Sequence, residues 1–435
     1  DNGMIHKNGS LCWDTEMLFR EIITGMKKCP DLSKIPDSIG IDTWAVDFIL
    51  LDSEGKILGD SVAYRDNRTN NMDAAVEKFV SSNDLYGITG IQKQVFNTIY
   101  QLMALQKQQP SLLQKAENLL MIPDYLNYLL TGNKMQEYTN ATSTALVNAK
   151  SKTWDKSLLK RLGYPEKLFT PLSLPGTVVG PLRPEIANLV GFQTKVVLPV
   201  THDTGSAFLS VPAKDEHTVT ISSGTWSLLG LETLEPILTE QARVENFTNE
   251  GGYEYRFRFL KNIMGLWMIQ SVRRELDKKY SYAQLEAFAK EHVDFPSVVD
   301  VNKDIFLSPE SMIHAIQQEC RKTGQKVPEV IGEVVQCIYQ SLSSCYAEAI
   351  QGLSSITGKR FKGIHIVGGG SKDSYLNALT AQKTGLPVYA GPVEGTVIGN
   401  LMVQMLRGGE FTDLQKARKS VENSFDIAIY KGGSL

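Results

Sequence analysis

The sequence predicts an α/β protein built of two lobes. Three observations carry this. The chain has 435 residues, too long for one hydrophobic core and enough for two or three domains. β-rich runs alternate with long helical stretches. Two hairpin-like segments, at 38–58 and 217–238, also resemble each other: each has an apolar run, a polar stretch ending in Thr-Trp (Thr43-Trp44 and Thr225-Trp226) and a second apolar run. If these are copies of one hairpin-plus-helices unit, the lobes face each other across a cleft. The best boundary is near residue 212, where Val211-Pro212 and the charged Ala213-Lys214-Asp215-Glu216 separate 1–212 from 213–435.

The elements follow in order. The first ten residues, DNGMIHKNGS, read as a polar turn, and a chain opening on Asp1 is expected to start inside a domain. SIGIDTWAVDFILLDSEGKIL (38–58) reads as a hairpin around the turn Asp52-Ser53-Glu54-Gly55. Residues 71–170 read as mostly helical, with loops near Pro110, Pro123, Gly132 and Pro165. VGFQTKVVLPV is a strand leading into THDTGS (201–206). Leu266, Ile269, Val272 and Leu276 recur at helical spacing, and 331–358 reads as a long, largely buried helix. Residues 362–392 read as strand, triple glycine, helix capped by Gly385, then strand; a last helix covers Val397 to Leu406.

Composition narrows the function. Hydrophobic residues are 42% and charged residues 21%, the balance of a chain with an ordinary core. A net charge of −3 leaves no electrostatic footprint for nucleic acid or an anionic membrane. No run approaches the ~20 apolar residues that span a bilayer, and no signal-peptide pattern is found. Five cysteines (Cys12, Cys29, Cys320, Cys337, Cys345) without a C-x-x-C, and six scattered histidines, point to a reducing, cytoplasmic setting and away from structural zinc.

Four stretches can carry chemistry. In VGGG (367–370), glycines between strand and helix let a ligand approach the backbone and leave N–H groups and the helix dipole facing an anion; a tight turn with no ligand reads the same. No Gly-Lys-Ser/Thr follows, so it is not a Walker loop. ISSGTW (221–226) offers hydroxyl and amide donors from Ser222, Ser223 and Thr225, as an ordinary hairpin turn also would. In THDTGS, His202 and Asp203 are neighbours and can reach one ligand only where the strand has ended. Asp203 is a candidate general base, with Gly205 and Ser206 leaving room for a hydroxyl; the competing reading is a helix cap. In NIMGLWMIQ, Asn262 reads as an N-cap and Gln270 as a solvated helix position. Two phosphate-friendly turns in one half and a carboxylate between the halves suggest phosphoryl transfer in a cleft.

With these residues on the page, the chain resembles the carbohydrate kinase family that includes glycerol kinase and xylulokinase. The broad pattern is in Tyr64-Arg65-Asp66-Asn67-Arg68-Thr69, PDYLNYLLTG (123–132) and VGGG. Its rhamnulokinase branch is seen in SIGIDTWAVDFILLD, FNTIYQL, EYTNATSTALVN, THDT, SSGTWSLLG and KNIMGLW, and the resemblance runs from about residue 1 to about 430. It implies two ribonuclease-H-like lobes, as in actin and hexokinase, with the active site in the interlobe cleft. It also implies ATP- and Mg2+-dependent phosphorylation of L-rhamnulose at its 1-hydroxyl. Asp203 matches the catalytic base; His202, Asp203, Thr204 and Asn262 match sugar contacts; Thr225, Gln270 and Gly368 match ATP contacts. A family glycine that contacts sugar is here Ala45. The family's opening loop, D-x-G-x-S-x-x-R, has no match in residues 1–37, so part of the ATP site is expected to be missing from the chain as written. The expected partners are L-rhamnulose and ATP, with no nucleic acid, no membrane, no protein-held metal, and a monomer or weak homodimer. Rival expectations are a kinase of another ketose, such as L-fuculose or xylulose, and a non-catalytic sugar-responsive binding protein.

Overall fold

The computed structural model describes residues 3–213 and 216–432. The chain forms two compact units, one of Asp1–Leu209, Glu232–Phe259 and Thr396–Ala417, the other of Ser210–Leu231, Leu260–Gly395 and Arg418–Leu435.

In the first unit the strand Phe48–Leu51 lies between Ile57–Leu58 and Asn118–Met121, both antiparallel, with Phe48 opposite Met121 and Leu50 opposite Leu119. Side chains alternate across a strand, and here both faces are buried. Phe48, Leu50, Leu119 and Met121 enter one core, while Ile49, Leu51, Leu120 and Ile122 enter another. That is why FILL is apolar throughout. A second sheet orders Val178–Pro181, Lys195–Val197 and Ser38–Ile39, the last two parallel.

The 38–58 segment is therefore only partly a hairpin. Asp52 to Gly55 do turn Phe48–Leu51 back onto Ile57–Leu58, but Ser38–Ile39 pairs with Lys195–Val197 in another sheet. Thr43-Trp44 thus links two sheets, whereas Thr225-Trp226 joins two strands paired antiparallel, Thr218–Ser223 and Trp226–Thr233. The likeness of the two stretches is local in sequence and does not extend to their pairing, which distant residues decide.

Residues 5–12 are not a polar turn but a small hairpin, Ile5–Lys7 with Ser10–Cys12, turned by Asn8 and Gly9 at φ 51° and 82°. A helix absent from the sequence reading, Thr15–Asp31, follows; Asp14 caps it by accepting from Met17 N–H at 2.9 Å, and Ile23 and Met26 anchor it. The loops expected near Pro110 and Pro123 are helix first turns instead, Pro110–Lys115 and Ile122–Thr131. Proline's missing N–H has no intrahelical partner to lose there.

The second unit is organised by parallel pairing of Thr218–Ser223 with Gly363–Val367, and of Gly363–Val367 with Val388–Ala390. Ala428–Tyr430 closes one edge antiparallel to Val388–Ala390. The long helix Ile331–Thr357, ended by Gly358 at φ 66°, packs against Tyr282–Lys290 and Ser374–Thr384. The expected last helix spans Gly395–Gly408, and Leu414–Ser424 is a further one. No helix among the described residues is long and apolar enough to cross a membrane.

Candidate active site

Asp203 stands where the strand Lys195–Val197 has run out and the helix Asp203–Leu209 begins. Thr43 and His202 form a parallel bridge: Thr43 N–H donates to Thr201 O and Asp203 N–H to Thr43 O, both at 2.9 Å. This clamp stops the strict strand alternation, so neighbouring side chains converge: His202 Nε2 lies 3.5 Å from Asp203 Oδ1. Oδ1 also accepts from Thr204 N–H at 2.6 Å and Thr204 Oγ1 at 3.2 Å. Oδ2 has no partner among the described residues, and the side chain is 45% exposed. One oxygen held by the neighbouring Thr204 and one open oxygen therefore coexist on one residue.

The space beside Asp203 is not left open by Gly205 and Ser206, as the sequence suggested. A Cβ at Gly205 would meet Val200 Cγ1 at 2.4 Å and Arg258 Cζ at 3.3 Å. Ser206 is buried and donates to Val200 O at 2.7 Å. Its backbone receives the Gly395–Gly408 helix so closely that a Cβ at Gly399 would be 1.9 Å from Ser206 O. The small residues serve tight packing under the carboxylate.

Behind His202 lies a buried ion pair, Arg258 Nη1 with Glu250 Oε2 at 3.1 Å. Burial alone would raise the Glu250 carboxyl, but the Arg258 charge, with His202 beside it, holds it below its ordinary value. On another side, Asn400 donates to Asp42 and to Gly40 O, Gln404 donates to Asn400 Oδ1 at 2.7 Å, and Ser38 donates to Gln404 Oε1 at 2.8 Å. Burial, opposed by the Asn400 hydrogen bond and reinforced by the Asp203 charge, pushes the Asp42 carboxyl up to about 6.

Ala45 is half-buried and opens a tight turn in which Asp47 N–H donates to Ala45 O at 2.9 Å. Val46, a β-branched residue at φ 68°, is held there by Thr98 Oγ1, which donates to its carbonyl at 2.6 Å. Asp47, 1% exposed, accepts from Trp13 Nε1, Trp44 Nε1, Gln101 Nε2 and Tyr64 N–H at 2.6–3.1 Å. That hub orients the Trp13–Trp44 pair, whose ring centroids are 4.2 Å apart.

In the second unit the two glycine-containing turns meet. Ser222 is opposite Val367 in a parallel pair, so ISSGTW and VGGG lie at the same ends of adjacent strands. Their glycines do different work. A Cβ at Gly368 would be 2.7 Å from Ser223 O, and one at Gly370 would be 2.0 Å from Ser223 Oγ; Gly369 alone is exposed with nothing within 4 Å. The dipole of the next helix, Ser374–Thr384, is not left for an anion, because Asp373 caps it by accepting from Leu376 N–H at 3.0 Å. The Thr225 turn is fixed by its backbone: Thr225 O accepts from Gly265 and Trp267 N–H, both at 3.2 Å, and Gly224 O from Leu266 N–H at 3.0 Å. Asn262 is not an N-cap but part of the strand Phe257–Met264; the helix begins at Trp267 and carries a half-buried Gln270. Ala45, His202, Asp203 and Thr204 therefore belong to the first unit, and Thr225, Asn262, Gln270 and Gly368 to the second.

Comparison with known proteins shows the family. Residues 3–210 match the N-terminal domain model of the FGGY family of carbohydrate kinases, and 219–407 match its C-terminal domain model. The chain belongs to the FGGY family of carbohydrate kinases. It is 51% identical over 431 residues to a rhamnulokinase of Halalkalibacterium halodurans, covering 99% of this chain and 92% of that protein. A rhamnulokinase of Bacillus subtilis is 43% identical, covering 99% and 88%. A xylulose kinase structure from Lactobacillus acidophilus has the same fold, with TM-score 0.81 at 16% identity over 99% of this chain and 88% of that one. Plasmodium falciparum glycerol kinase with ADP gives 0.77 at 14% identity over 98% and 87%. The FGGY kinase described here phosphorylates a sugar with ATP.

Four residues that stand around the kinase's carboxylate escaped the sequence reading: Asp42, Glu250, Arg258 and Asn400. Asp42 was in sight within IGIDTW, but nothing local marks it as paired with Asn400, 358 positions away. Glu250 and Arg258 have no motif; their only signal is a charge within a largely apolar or buried β-rich run.

Proposed function

We propose that this kinase transfers the γ-phosphoryl group of ATP to the 1-hydroxyl of L-rhamnulose, giving L-rhamnulose 1-phosphate and ADP in L-rhamnose catabolism. The observation that carries the reading is Asp203 Oδ2, without a partner among the described residues, on a carboxylate whose Oδ1 is held by Thr204. Asp203 takes the proton of the hydroxyl on Oδ2 as the hydroxyl oxygen attacks phosphorus and the β–γ bridging oxygen leaves with ADP. Such transfer has a loose transition state, so positioning and charge stabilisation dominate, and a positioned base contributes ~10²–10⁴-fold. His202, Thr204, Ala45 and Asn262 hold the sugar. Thr225, Gln270 and Gly368 contact the nucleotide, and Gly369, exposed at the turn, is the point of closest backbone approach. In this reading the first unit supplies Ala45, His202, Asp203 and Thr204 to the sugar, and the second supplies Asn262 to the sugar and Thr225, Gln270 and Gly368 to the nucleotide. The name shared by the relatives supports the choice of sugar.

Magnesium fits the donor set only as a nucleotide-borne ion. No group of three metal-type side chains stands together among the described residues, and Mg2+ is commonly held by one or two carboxylates plus substrate phosphates. Asp203 and Asp42 are the carboxylates at hand; the ion would offset charge on the phosphates. A cytoplasmic monomer or weak homodimer completes the reading. The test is Asp203→Asn, assayed with L-rhamnulose, L-fuculose and xylulose. Wild type should turn over L-rhamnulose fastest, and the variant should lose ~10²–10⁴-fold in kcat while still binding sugar by calorimetry. Near-normal kcat in the variant would sink the base assignment; a preference for another ketose would sink the substrate.

A further inference from the structure

Two charged groups make opposite demands on one nitrogen of His202. Arg258 Nη2 lies 3.1 Å from His202 Nδ1, and Arg258 Nε and Nη2 also hold the Gly251 carbonyl at 3.2 and 3.0 Å. A guanidinium only donates, so this contact requires a lone pair on Nδ1. Glu250 Oε2 is 3.3 Å from the same Nδ1 and would require an N–H there. Which contact closes as a hydrogen bond decides between them. The Arg258 contact is a formed hydrogen bond, whereas neither Glu250 Oε2 nor Arg258 Nη1 completes one among the described residues, despite lying 3.1 Å apart. Glu250 therefore neutralises Arg258 without claiming the ring proton.

The tautomer of a histidine is set by the hydrogen bond its other nitrogen makes. We propose that Arg258, anchored by Glu250 and the Gly251 carbonyl, is a positioning residue that holds His202 as the neutral Nε2–H tautomer. The inference rests on reading Asp203 as the base. The ring N–H is then on the nitrogen nearer Asp203 Oδ1, 3.5 Å away, the oxygen that already accepts from Thr204 N–H and Oγ1. Oδ2 is left as the oxygen that takes the substrate proton. The opposite tautomer would set a nitrogen lone pair against a carboxylate oxygen and turn the carboxylate away. Gly205 in THDTGS lies against the same guanidinium: a Cβ there would crowd Arg258 Cζ at 3.3 Å as well as striking Val200 Cγ1 at 2.4 Å. The charged and titratable groups around His202 are thus Asp203, Glu250 and Arg258, with Asp42 beyond.

The tautomer is read directly from the full-length kinase labelled with ¹⁵N-histidine, His202 being assigned by the signal lost in His202→Gln. At pH 7.5 Nε2 should carry the proton and Nδ1 should give the shift of a bare, hydrogen-bonded nitrogen. A proton on Nδ1, alone or with one on Nε2, overturns the proposal. Arg258→Lys, whose ammonium cannot span Nδ1 and the Gly251 carbonyl, should give mixed tautomers and lower kcat about 10-fold or more, with the KM for ATP within about twofold. Mixed tautomers with wild-type kcat would also overturn it. If Arg258→Lys does not fold, the wild-type spectrum decides alone. Asp203→Asn separates the two ideas: normal turnover there removes the base, whereas a wrong tautomer with an inactive Asp203→Asn removes only the role of Arg258.

Discussion

Replacing Asp42 with asparagine should stabilise the kinase at neutral pH and do progressively less in acid. Burial is the largest cause that lifts the Asp42 carboxyl from 3.8 to about 6, against the Asn400 hydrogen bond and with the Asp203 charge. A carboxyl raised in the folded state contributes stability that is fully present below its unfolded value and is lost as pH rises through the folded value. The loss therefore falls between about pH 4 and pH 6. A shift of about two units is about 3 kcal/mol at most once both states are ionised. Asparagine keeps an oxygen for the Asn400 donor, has no charge to lose, and should escape that penalty. For a unit of this size, ~1 kcal/mol moves Tm by ~2 °C, so the gain of Asp42→Asn over wild type should grow by roughly 5 °C between pH 4 and pH 7.5. The assay is thermal unfolding of both proteins across that range without ligands. A difference in Tm that is the same at every pH would refute the reasoning, since it would mean the Asp42 charge is not the unfavourable element.

Three further outcomes follow from contacts. Gly399→Ala drives a methyl into Ser206 O, 1.9 Å from the ideal Cβ, and should cost about 1–3 kcal/mol or more in denaturant unfolding. Gly370→Ala, with its Cβ 2.0 Å from Ser223 Oγ, should raise the KM for ATP, while Gly369→Ala, with open space around it, should leave the melting temperature unchanged; steady-state kinetics and calorimetry check the pair. Asp47→Leu strands the indole N–H groups of Trp13 and Trp44, the Gln101 amide and Tyr64 N–H, and should destabilise by about 3 kcal/mol or more with a shift in tryptophan fluorescence.

Much of this kinase was determined by its sequence alone. The α/β class, the long helix Ile331–Thr357, the strand–glycine–helix–strand order of 363–390, and Asp203 at a strand end are all local patterns. Each rests on a periodicity, a cap or a glycine within a few residues, and local backbone preference is enough to express them. The motif residues also led to the family that the comparisons show. The tertiary structure decided which strands pair, and so decided that Ser38–Ile39 leaves its apparent hairpin for Lys195–Val197. It decided that the small residues after Asp203 are filled by Val200, Arg258 and the helix carrying Gly399 rather than left open. It also brought Asp42, Glu250, Arg258 and Asn400 to the site from positions up to 358 residues apart. The reason is the reach of the forces involved. A helix or turn is specified by neighbours along the chain, whereas an ion pair, a buried carboxyl or a histidine tautomer is specified by groups that only strand pairing and helix packing bring within 4 Å.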